Sequence, residues 1–131
     1  MTILDDVKAR LESEVPGLTV YKGAVPNGTL PAKYLVVWAS EGDEFSTRMC
    51  DATNIIEPTF WVTSVGRLSS PQNSASAAAF GSRETRRALR DWRPYGAWKV
   101  RPEASQAPRR DESLPDSTFF AVEQFSVRIN L

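Results

Sequence analysis

Histidine, the commonest general base and the commonest transition-metal ligand, is missing from all 131 residues of this chain. Ser-His-Asp and Cys-His nucleophilic catalysis are therefore excluded, together with the usual zinc sites. Carboxylates are what remains for acid-base or magnesium chemistry, with Glu57, Asp111, Glu112 and Glu123 as candidates. Glu123 stands out because it interrupts an apolar strand face, where burial raises a carboxyl pKa. Pairing with Lys99 or Arg101 across a sheet, or a place at the strand's wet end, accounts for it equally well. Asp43, Glu44 and Asp51 lack EF-hand spacing and its turn glycine, so they read as a solvated acidic loop. Cys50 is the sole cysteine; with no partner to activate it, it reads as an inert thiol. No metal or cofactor is expected.

Charge supplies the second kind of chemistry. The formal net charge is zero, but it is segregated. Residues 1–57 hold five basic and nine acidic residues, residues 83–110 hold nine basic and three acidic, and residues 111–131 hold one basic and four acidic. A neutral chain with opposed charged regions suits docking to copies of itself better than general nucleic-acid binding. Five arginines between Arg83 and Arg93 nonetheless make nucleic acid a rival partner, since phosphate neutralisation dominates such affinity. Phe80 falls opposite the apolar stripe of a helix, close to Arg83 and Arg87. A loosely covered aromatic beside a solvated basic face and a protein interface, where aromatics and Arg are enriched, both fit that pattern. The interface candidates are Phe80, Arg83, Arg87, Arg90, Arg109 and Arg110, with Asp43, Glu44, Asp111, Glu112 and Asp116 as their acidic counterparts.

The elements that position these residues follow from periodicity. The length suits a single domain with one core. A first helix is predicted over residues 2–15, with Thr2 as cap, Asp5 completing a capping box, and Leu4, Val7, Leu11 and Val15 at helical spacing. Asp5 and Asp6 complement the helix dipole there. Strands are predicted at 18–21 and 33–39, the latter apolar on both faces and so inside the sheet. An irregular loop or hairpin around Asn27-Gly28 joins them, and a long polar loop follows over 40–54.

The stretch from Pro58 to Trp92 is a strand, a break at Gly66 and a long helix ended by Pro94. Ala75, Ala78, Ser82, Thr85, Leu89 and Trp92 form a predicted small-residue stripe that lies close on the sheet. Gly81 costs about 1 kcal/mol in mid-helix and leaves room for a break. A strand begins at Trp98 and ends at Pro102, and residues 102–117 form a charged arm or loop, with Arg109-Arg110 beside Asp111-Glu112 as a local ion-pair cluster. The last strand is predicted over 118–131, one face meeting the helices and the other wet or against another subunit. The sum is an α+β domain: a mostly antiparallel β-sheet with two α-helices packed on one face.

The run Val62-Thr63-Ser64-Val65-Gly66, then Pro71-Gln72, then Ala88-Leu89-Arg90-Asp91-Trp92, then Arg110-Asp111-Glu112-Ser113 leading into Phe119 to Val127, resembles the tail-terminator (tail-completion) proteins of long-tailed bacteriophages. The likeness covers the second half of the chain in detail and the first half by element order. It implies a non-enzymatic virion protein at the head-tail junction, forming a six-membered homo-oligomeric ring on the tail tube. Such a ring stops tube growth, contacts the tail tube protein and the head-tail connector protein, and lets DNA pass without binding it specifically. Related small head-tail joining proteins share this size and topology, so another head-tail connector or a minor tail protein is the alternative that the resemblance implies. No membrane segment is expected, and the first residues lack the pattern of a secretion signal, so assembly in the host cytoplasm is implied.

Overall fold

The computed structural model describes residues 3–26, 28, 30–39, 49–50, 55–56, 59–94, 97–114 and 116–130. Thr2, Asn27, Asp43, Glu44, Asp51 and Glu57, and most of the loop predicted over 40–54, lie outside them. Helix α1 spans Ile3–Glu14 and α2 spans Pro71–Leu89. The strands are β1 (Thr19–Lys22), β2 (Lys33–Trp38), β3 (Met49–Cys50), β4 (Ile55–Ile56), β5 (Thr59–Arg67), β6 (Arg101–Arg110), β7 (Thr118–Ser126) and β8 (Ile129–Asn130). A five-stranded sheet runs β1-β2-β5-β7-β6, antiparallel except for the β1-β2 pair, and β3-β4-β8 form a small second sheet.

Both helices cover one face of the large sheet. Leu4, Val7, Leu11 and Val15 of the α1 region meet Leu35 and Val37 of β2, Phe60 and Val62 of β5, Leu89 of α2 and Phe125 of β7 in one buried cluster. Ring centroids of Phe60 and Phe125, opposite one another across the β5-β7 ladder, are 5.5 Å apart. Burying side chains of this size contributes about 1.5–3 kcal/mol each.

Helix α2 crosses this face on a seam of small residues. Ser74, Ala77, Ala78, Gly81, Ser82, Thr85, Ala88 and Leu89 are its buried positions. Ala78, Ser82, Thr85 and Leu89 of the predicted stripe are among them, but the seam is wider on its other flank, Ala75 is only half-buried, and Trp92 lies beyond the helix, packed on the core from the following turn. Gly81 does not break α2. It sits over Ser64 and Leu35, where a Cβ would collide with the Ser64 hydroxyl, so its cost in helix propensity is offset by close approach. Pro94 does not set the helix end either; α2 stops at Leu89, and Asp91 then adopts a left-handed φ of 60°. At the other end, Ser70 caps the helix by accepting from the Asn73 N–H, and Pro71 occupies the first turn.

Two predicted segments differ. The strand expected from Trp98 starts instead at Arg101, and the supposed arm beyond Pro102 continues it to Arg110 as edge strand β6. Its prolines sit at or beside register shifts between Pro102 and Ala104 and between Gln106 and Arg109, as is usual for a residue with no N–H in an edge strand. The C-terminal strand is not continuous, since β7 ends at Ser126 and β8 resumes in the second sheet.

Gly66 carries the tightest packing in the strand-to-helix turn. It belongs to β5 and does not end it, and a Cβ there would strike the Ser74 carbonyl oxygen of α2 and lie 2.9 Å from the Ala77 Cβ. Backbone cannot rotate away as a side chain can. Gly66→Ala is expected to lower stability by about 1–3 kcal/mol in urea denaturation, whereas Gly17→Ala, with open space at that Cβ, stays near wild type.

Candidate functional site: an arginine face and an acidic turn

Arg83, Arg86, Arg87 and the C-cap Arg90 are spaced three and four apart, so they share one side of α2. With Asp91 they line a shallow depression of about 460 Å³. The Arg83 guanidinium lies over the Phe80 ring, 5.5 Å from its centroid, and Phe80 remains 39% exposed. Arg87 Nε donates to Glu84 at 3.2 Å, and its Nη2 donates to the Glu14 carbonyl at 3.0 Å, joining α2 to α1. Arg86 turns inward to Glu123. The Arg90 side chain is exposed at the helix end.

The remaining interface candidates lie elsewhere. The turn from β6 to β7 sits at the end of the sheet where α2 begins, because Arg110 pairs with Phe119 and Phe119 pairs with Gly66, which touches the first turns of α2. The predicted ion-pair cluster does not form: no ion pair within 4.0 Å joins Arg109 and Arg110 to Asp111 and Glu112. Arg109 instead lies over Phe120, 5.0 Å from its ring centroid. One Asp111 oxygen accepts from the Ser113 N–H at 3.1 Å and from its hydroxyl, which closes the turn. Asp116 accepts from Thr118 and pairs with Arg67 at 3.0 Å; these two hold its carboxyl below the ordinary range, the Thr118 bond first. Glu112 is exposed, and so is Leu114 at 37%. The structure thus separates the arginine face from the acidic turn.

Glu123 is 1% exposed. Its Oε1 accepts from the Ser82 hydroxyl of α2, from the Ser105 hydroxyl of β6 at 2.8 Å, and from Arg86 Nε at 3.3 Å. The partners are therefore not Lys99 or Arg101. A carboxylate so enclosed joins one helix to two strands through charge-assisted hydrogen bonds.

Among the described residues, no helix covers the sheet's other face. Trp38 and Trp61 stack there with centroids 4.8 Å apart, and Trp38 Nε1 donates to Thr63 at 2.9 Å. A groove of about 700 Å³ is lined by Tyr34, Val36, Trp38, Thr63, Val65 and the chain at 22–25. Burial raises the Tyr34 phenol pKa, partly offset by Arg67, so this hydroxyl is neutral and offers no base. Sequence reasoning did not single out the Trp38–Trp61 stack or Leu114. The alternation of both strands held the signal for the stack, since apolar residues occupy both phases. Among the described residues no group of three or more acids and cysteines could hold a metal ion.

Removing the buried carboxylate leaves two hydroxyls and a guanidinium without their acceptor. Glu123→Ala is expected to cost about 2–4 kcal/mol in urea denaturation, and Glu123→Gln distinctly less because its amide oxygen still accepts.

No protein-family model matches the chain, and no curated protein matches it by sequence. Among solved structures, it is similar to a chain in the virion of a native gene transfer agent particle, at 18% identity and a TM-score of 0.69, covering 97% of this chain and 93% of that one. A second solved chain is similar at 13% identity and a TM-score of 0.57, covering 100% of this chain and 98% of that one. At such identities the likeness shows a shared fold, and the first of these folds is one that a virion contains.

Proposed function

We propose that this chain is a structural protein of a virion, assembling with copies of itself into a six-membered ring at the head-proximal end of a phage tail tube. There it ends tube growth and joins the tail to the head connector. The observation that carries this reading is the fold shared over 97% of the chain with a component of a gene transfer agent virion. The order of strand, arginine-bearing helix, acidic turn and final strand supports the more specific station. A subunit whose basic and acidic surfaces lie apart is suited to head-to-tail contacts, where unlike surfaces meet and rotation closes a ring.

The role is non-catalytic on this reading. Glu123, the carboxylate with the strongest claim to chemistry, is occupied in joining α2 to the sheet. Nucleic acid is the weaker partner for the arginine face. Arg86 and Arg87 already have carboxylate partners, which reduces the counterion release that drives phosphate binding.

Light scattering of the purified protein, alone and mixed with growing tail tubes, tests the reading. The expected result is a closed oligomer that adds to tube ends and halts further growth. A stable monomer that never associates with tubes contradicts it.

A further inference from the structure

We propose that the outer face of α2, Phe80 with Arg83, Arg87 and Arg90, docks the tip of the β6-β7 turn, Asp111, Glu112 and Leu114, of a second copy of this chain. The inference rests on the ring reading and names the surfaces that close it.

Charge is the first argument. Asp111 and Glu112 stand at the turn, and Glu112 has no ion-pair partner among the described residues, whereas Asp116 is committed to Arg67. The turn of one subunit lies far from the arginines of its own α2. It lies beside the start of α2, and from Asn73 to Arg83 the helix rises about 15 Å. The opposed charges of the chain are thus left to be matched between copies.

Exposed apolar surface is the second, independent argument. Val25, Phe80, Trp98 and Leu114 are the large hydrophobic side chains left exposed among the described residues, and one of them sits in each of the two charged patches. Phe80 with arginines faces Leu114 with acids: an apolar contact ringed by opposite charges, the composition of a protein interface core and rim. The edge of β6 is a poorer docking element. Its two prolines, two register shifts and flanking charges are the devices that keep edge strands from pairing.

Two charge-reversal variants provide the test, read by light scattering at low ionic strength with circular dichroism as the folding control. Arg83→Glu/Arg87→Glu and Asp111→Lys/Glu112→Lys are each expected to lose the wild-type oligomer mass. An equimolar mixture restores it, because the acidic helix face of one variant meets the basic turn of the other, and an even-membered ring can alternate them. Wild-type mass in either folded variant overturns the pairing while leaving the ring reading intact, as does a mixture that stays dissociated. Unchanged oligomer mass together with lost binding of duplex DNA in the arginine variant assigns the face to phosphate instead. A wild-type protein that is monomeric even with tail tubes overturns both readings.

Discussion

Close approach of α2 to β5 is the constraint on which the rest of the structure depends. Gly66 and Gly81 lie at its contact points, Ser74 bridges the turn by accepting from the Leu68 N–H at 2.8 Å and donating to its carbonyl at 3.2 Å, and alanines fill the space between. A seam this shallow brings Ser82 and Arg86 within reach of Glu123, so the buried carboxylate can be satisfied from the helix as well as from β6. It also leaves the C-terminal end of the helix to be held by larger groups: Leu89 and Trp92 on the core, Arg10 over the Trp92 ring at 5.6 Å, and the Arg10 Nε donating to the Ala88 carbonyl at 3.0 Å.

Because the inner face of α2 is fixed by fit, its outer face is free to vary in chemistry at little cost to folding. Of the arginines there, Arg87 makes an exposed pair with Glu84, which contributes about 0–1 kcal/mol, and Arg83 lies over the Phe80 ring. Their concentration on one side is therefore not explained by the stability of the subunit. The acidic turn is built differently. Asp111 and Asp116 order it from within, and Glu112 and Leu114 are presented outward.

Much of this was legible in the sequence where burial differs between neighbouring positions. A continuous apolar run marks β2, alternation of β-branched and aromatic residues marks β5 and β7, and helical spacing marks both helices and places Phe80 and Arg83 outward. The predicted α2 stripe holds at Ala78, Ser82, Thr85 and Leu89 but misses the seam's other flank, Ser74, Ala77, Gly81 and Ala88, because alanine, serine and glycine differ too little in hydropathy to mark a face. Strand β6 was read as an arm because almost all its side chains are exposed, so no apolar period exists, and its prolines resemble loop punctuation. Glu123 was recognised as anomalous, but its partners come from a helix and an edge strand whose placement no local pattern contains.

The central claim is that α2 builds the subunit with one face and meets a neighbour with the other. Cysteine pairing tests it most directly, with Phe80→Cys and Leu114→Cys introduced together in a Cys50→Ser background. Under mild oxidation the double variant is predicted to form a ladder of covalently linked subunits ending at the ring size, while each single variant stays unlinked. Monomers alone from an assembled double variant would contradict the account.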